Sequence, residues 1–215
     1  MCKGILLISF CLVFVISTSC RKEKNNVFSG TITQMVDESP IEGVEIIIEV
    51  NELQSGTFSS GYIELGRVFT DDNGAFLFTA DPYQAIDFRF TLVKNGYHTR
   101  SFIISPSDIV GEYTINEEIG LESYIKIHVK NNNPENENDL LKYRIKEVHE
   151  KCDVCCNGNF HYFNGTNIDT IITCPLTGLN TVQLEHVAIK DSDSEHFMQG
   201  IYCIPNDTVQ INIFY

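Results

Sequence analysis

The stretch Phe88-Arg89-Phe90-Thr91-Leu92-Val93-Lys94-Asn95-Gly96-Tyr97-His98-Thr99-Arg100-Ser101-Phe102-Ile103-Ile104 decides the fold class. Phe88, Phe90 and Leu92 alternate with Arg89 and Thr91, the period of a strand with one buried and one wet face. Asn95-Gly96 then supplies the residues that a tight hairpin turn requires, and a second strand-like run follows. The same period recurs outward from here. Val44, Ile46, Ile48 and Val50 share a face, and so do Ile125, Ile127 and Val129. Near the end Val209, Ile211 and Ile213 alternate with Gln210 and Asn212. Turn signals separate the runs at Ser39-Pro40, Asp72-Asn73-Gly74 and Asn164-Gly165.

In the second half, strands are expected at residues 159–163, 169–174, 181–190, 200–204 and 208–214. Only residues 139–150 are open to a helical reading, through Leu141, Ile145 and Val148. Leu141, Tyr143 and Ile145 also alternate, which favours a strand. Short strands at regular spacing predict an all-β chain. Of the 215 residues 43% are hydrophobic and 20% charged, which excludes a disordered chain. A formal charge of −14 argues against nucleic acid as a partner, because phosphate binding needs a basic surface.

The first residues read as an address. Lys3 precedes an uncharged apolar run, then Ser17-Thr18-Ser19-Cys20, then Arg21-Lys22. That is the layout of a secretion signal, and the apolar run is shorter than the ~20 residues a spanning helix needs. Ending on Cys20, it resembles the lipobox of bacterial lipoproteins, with Ser17 where that family usually carries Leu. The resemblance implies a signal peptide over 1–19, lipid on Cys20 and a polar tether over 20–26. It also implies a partnership with the membrane, in the cell envelope at the outer membrane. Asp169-Thr170-Ile171 and Asp207-Thr208-Val209 resemble the O-glycosylation acceptors of Bacteroidota.

Residues 27–122 resemble the carboxypeptidase-regulatory-like domain, a transthyretin-like sandwich. The matching residues are Ser29-Gly30-Thr31-Ile32, then Pro40-Ile41-Glu42-Gly43-Val44-Glu45-Ile46, then Thr70-Asp71-Asp72-Asn73-Gly74-Ala75-Phe76-Leu77-Phe78. Such domains are usually non-catalytic, so the resemblance implies architecture. Residues 123–215 are expected to form a second β-sandwich of immunoglobulin-like character.

Cys2 and Cys11 belong to the signal and Cys20 to the lipid, which leaves Cys152, Cys155, Cys156, Cys174 and Cys203. An oxidising compartment favours their pairing. The preferred arrangement staples Cys174 and Cys203 each to the 152–156 cluster and leaves one cluster thiol free. A metal reading is weighed beside it, because His149, Cys152, Cys155, Cys156 and His161 are soft ligands close in sequence. That reading is set second to disulfides, so no metal and no cofactor is expected. His98, His128 and His186 fall in strand patterns and read as surface or satisfied histidines. Asp191, Asp193 and Glu195 read as a solvated loop.

No nucleophile elbow, zinc-protease helix or phosphate-cradling loop occurs in the sequence. The expectation is a non-catalytic envelope lipoprotein acting as a binding or scaffold module, with an envelope protein or glycan as partner. Loops 131–138 and 152–158 are its expected contact segments. Two alternatives are an accessory glycan- or peptide-binding subunit of nutrient uptake and a metal- or thiol-dependent periplasmic enzyme. Nine Tyr but no Trp weakens the glycan alternative, since indole is the flattest stacking platform.

Overall fold

The computed structural model describes residues 25–54, 57–58, 61–82, 85–105, 112–191 and 193–215. The signal segment, Cys20 and most of the tether lie outside the described residues. The described chain is all-β and forms two sandwiches. The first is built from β1 (Asn26–Gln34), β2 (Glu45–Gln54), β3 (Thr57–Phe58), β4 (Ile63–Phe69), β5 (Ala75–Ala80), β6 (Ala85–Val93), β7 (Arg100–Ile104) and β8 (Glu112–Ile119). The second holds β9 (Glu122–Lys130), β10 (Leu140–Lys146), β11 (His161–Asn164), β12 (Asp169–Thr177), β13 (Thr181–Lys190), β14 (Asp193–Tyr202) and β15 (Thr208–Phe214). The segment open to two readings is therefore a strand, β10. The Asn95-Gly96 turn joins β6 to β7 as the alternation predicts, with Gly96 at φ +80°.

In the first sandwich a sheet of order β5-β1-β8 faces one of order β3-β2-β6-β7, with β4 also paired to β2. In the second, β12-β9-β15 faces β11-β10-β13-β14. The two share one connectivity, β3 apart. The opening strand pairs antiparallel with the fourth (β1 with β5, β9 with β12) and parallel with the last (β1 with β8, β9 with β15). Gly30 is needed for that parallel contact. A Cβ there would stand 1.7 Å from the Ile115 carbonyl oxygen of β8, closer than any atom can approach.

Each sandwich closes on its own core. Phe28, Val44, Ile46, Ile48, Phe88, Phe90 and Leu92 are buried in the first, and Phe28 meets Phe88 and Phe90 edge-on at 5.2 Å. Ile125, Ile127, Val129, Leu141, Tyr143 and Ile145 fill the second. Burial pushes the Tyr143 phenol up to about 12. Aromatic and β-branched side chains on alternating positions suit such pleated, one-sided surfaces.

The motif around Thr70 is a set of local hydrogen bonds. Thr70 Oγ1 donates to the Ile41 carbonyl at 2.6 Å and accepts from the Val44 amide at 2.9 Å. Asp71 Oδ1 accepts from the amides of Asn73 (2.9 Å) and Ala75 (2.8 Å), closing the turn. Gly74 sits at φ +69°, and an added Cβ would meet the Ile32 carbonyl at 2.4 Å.

Only Gly120 and Leu121 separate β8 from β9, and the sandwiches meet at a bonded seam. The His98 amide donates to Gly120 O, the Glu122 amide to Gly96 O and the Gly178 amide to Leu121 O, each at 2.9 Å. Across it, Lys151 pairs with Glu118 at 2.8 Å, and Arg100 donates to the Lys151 carbonyl at 3.0 Å while pairing with Glu117.

Candidate functional site

The second sandwich is open along one side. β14 and β15 are each an edge strand of one of its two sheets, and between them lies a groove of about 360 Å³. Ala188, Phe214 and Tyr215 give it apolar surface, and Glu135, Asp193 and Glu195 an acidic rim that Asn133 and Lys190 complete. β14 is exposed along almost its whole length. Of its ten residues only Ile201 is buried. Phe197 and Met198 are about half exposed (52% and 53%), although Phe197 stands on the core-facing side of the strand, stacked on His186 at 5.0 Å. The expected loop at Asp191–Glu195 is corrected accordingly: Asp193 and Glu195 lie in β14, paired with Lys190 and Ala188 of β13. Charged and polar residues on both faces erase the alternation by which a strand is recognised.

Loop 131–138 forms one bank of the groove and is pinned. Fully buried Asp139 accepts hydrogen bonds from the Glu135 amide (2.9 Å), the Asn136 amide (3.2 Å) and the Asn131 side-chain amide (2.8 Å). The Glu135 bond, followed by that of Asn131, holds its carboxyl below the ordinary range. Lys190 Nζ donates to Asn131 Oδ1 at 3.0 Å and to the Asn133 carbonyl, and rests over the Tyr215 ring at 5.3 Å. Glu135 has a raised pKa, first from lost hydration and then from Asp191 beside it. This end of the sandwich is thus acidic, with Lys190 already engaged by the loop.

The cysteines divide differently from the preferred pairing. Cys152 bonds to Cys155 and Cys156 to Cys174, with Cα separations of 5.4 and 5.7 Å. Cys174 does staple to the cluster, from β12. Cys203 does not, and is a buried free thiol in the second core, its pKa raised by burial. The reason is local: a turn over 152–155 brings its own two sulfurs together, with the Cys155 amide bonded to the Cys152 carbonyl at 3.2 Å. Cys156 is then left to Cys174, whose neighbour Pro175 accepts the Cys156 amide at 3.0 Å.

The histidines also sort themselves. His161 stacks on Tyr143 at 4.9 Å, and His149 Nδ1 accepts from the Lys151 amide at 3.4 Å. His128 bonds to Asp169 at 2.7 Å and His196 to Glu185 at 3.0 Å. Among the described residues the cysteines' close histidine is His98, from the first sandwich, and not His149 or His161. That juxtaposition crosses the seam, so no local spacing announces it.

These features define a class: a tandem β-sandwich protein with a one-sided acidic groove and a disulfide-bearing seam. The structure is similar to the Bacillus anthracis TIE protein (11% identity, TM-score 0.37), covering 89% of this chain and 34% of that one, so that the chain spans about a third of its length. It is similar to GBS52, the minor pilin of Streptococcus agalactiae (11% identity, TM-score 0.36), covering 88% and 94% of the two chains. It is also similar to 3-chlorocatechol 1,2-dioxygenase from Rhodococcus opacus (13% identity, TM-score 0.35), covering 47% and 62%. No family model and no curated protein matches the sequence. Among the described residues no helix is long and apolar enough to cross a membrane.

Proposed function

We propose that the chain is a non-catalytic envelope lipoprotein, anchored through lipid on Cys20, whose second sandwich binds an extended, cationic segment of a protein partner. The observation that carries the reading is the groove between β14 and β15. It lies between two edge strands, with loop 131–138 beside them, and a free strand edge offers backbone hydrogen bonds to an added strand. Its apolar surface, Ala188, Phe214 and Tyr215, accepts side chains from one face of such a strand, and Glu135, Asp193 and Glu195 attract basic ones. The lipid reading rests on the sequence of residues 3–22 alone.

The test is selection from a displayed library of nine-residue peptides, beside fractionation of cells carrying Cys20→Ala. Expected are peptides alternating basic and apolar residues, whose binding falls at least tenfold with Glu195→Lys and is lost when Ala188→Trp fills the groove. Release of the Cys20→Ala form from membranes supports the anchor. Peptides that bind equally well to both groove variants, or no enrichment at all, refute the groove reading. Unchanged membrane retention refutes the anchor.

A further inference from the structure

We infer that the seam between the sandwiches is a zinc site in its reduced state, made by His98, Cys152 and Cys155 and closed off by their disulfide in the oxidised state. One ligand atom from each of the three lies within 4.8 Å of the others, and all three are half-buried. His98 and Cys152 border a cavity of about 20 Å³, room for a single water or ion, with Met35, Arg100, Glu118 and Lys151 also on its wall. Two thiolates and an imidazole are a ligand set that zinc prefers, with the fourth position left to water.

The imidazole is already set for this. His98 Nε2 donates to the Leu176 carbonyl at 2.8 Å, which keeps the proton on that nitrogen and the lone pair on Nδ1. A ligating histidine is ordinarily oriented by such a bond from its second nitrogen to a carbonyl. On the other side, Thr177 Oγ1 lies 3.5 Å from Cys155 Sγ and fixes the position of that sulfur. Tetrahedral bonds of about 2.3 Å to sulfur place two sulfurs roughly 3.8 Å apart. The turn over 152–155 holds its two Cα atoms 5.4 Å apart, which keeps the two sulfurs neighbours.

The chemistry needs a dithiol reductant. Its two thiols give two electrons and two protons to the Cys152–Cys155 bond, which becomes two thiols, and the dithiol leaves as its own disulfide. Zinc then displaces one proton from each thiol. The Cys156–Cys174 bond takes no part, and it closes a separate loop to β12.

Zinc binding by the full chain, read by equilibrium dialysis and metal analysis before and after dithiol treatment, tests this. Expected is one zinc per reduced chain and none per oxidised chain. His98→Ala should weaken the reduced site by at least about tenfold, Cys152→Ser/Cys155→Ser should abolish it, and Cys156→Ala/Cys174→Ala should keep it. Circular dichroism of each variant separates loss of a ligand from loss of the fold. The inference is overturned if the reduced chain takes no zinc or the oxidised chain binds it equally. Full binding by folded His98→Ala, or by the Cys152→Ser/Cys155→Ser chain, overturns it as well.

Discussion

Replacing Thr70 by Val keeps the shape of a buried side chain and removes only its hydroxyl. That hydroxyl holds two groups at once, the Ile41 carbonyl and the Val44 amide, at 2.6 and 2.9 Å. Thr70, Ile41 and Val44 are 4%, 4% and 0% exposed, so water does not replace the lost bonds. Leaving one buried donor or acceptor unpaired costs about 1–3 kcal/mol. Two such groups, partly offset by relief from burying the hydroxyl itself, give an expected loss of about 2–4 kcal/mol. Thr70→Ser keeps both bonds and loses one methyl, an expected loss of roughly 1 kcal/mol. Urea denaturation followed by hydrogen exchange on the peptides covering β2 and β4 reads the first sandwich apart from the second. The expected order is parent, then Ser, then Val, with exchange in β10 and β13 unmoved. A Val variant within 0.5 kcal/mol of the parent, or a Ser variant as damaged as Val, would show that the hydroxyl does not organise this corner.

Two further outcomes are expected. Cys203, a buried thiol with a raised pKa, should react with maleimide more than about a hundredfold slower in the native chain than in urea, as peptide mapping can measure. Equal rates would place it at the surface. His186 is held below the ordinary 6.5 first by burial and then by His196. The folded state therefore favours the neutral ring, and this contribution is complete above the unfolded value near 6.5. It is lost as the pH falls through 6.5 toward the folded pKa, because the unfolded chain takes up the proton first. Urea titrations at pH 7.5, 6.5 and 5.5 should show a shallower acid-side decline for His186→Gln than for the parent, and identical slopes would contradict the assignment.

The all-β fold was legible wherever one face of a strand is dry. The 181–190 and 208–214 strands coincide with β13 and β15 because Val182, Leu184 and Ile213 are buried on a fixed period. β14 was legible only at its buried end, since its first eight residues are wet on both faces and carry no period. The parallel pairing of first and last strands left no local trace, because alternation reports which face is buried and not which neighbour lies beside it. Gly30 marks that contact, yet a glycine alone does not say what approaches it. Of the candidate sites, the loop at 131–138 was visible as a polar run, and it does bank the groove. Its clamping by Asp139 and Lys190 was not visible, since those residues meet only when β10 and β13 pair. His98 likewise reached Cys152 and Cys155 only through the packing of one sandwich on the other.

The parallel pairing within each sandwich also has a mechanical side. Because β1 runs alongside β8, and β9 alongside β15, the chain enters each sandwich at one pole and departs at the opposite one. Nine-residue strands at about 3.3 Å per residue make each unit roughly 30 Å from pole to pole. Stacked end to end, they carry the groove to the tip farthest from β1. A tug between that tip and the amino-terminal end would load the inter-strand hydrogen bonds lengthwise, so that many must slide together before any yields. Such a rod resists stretching where a hairpin, opened one bond at a time, would unzip.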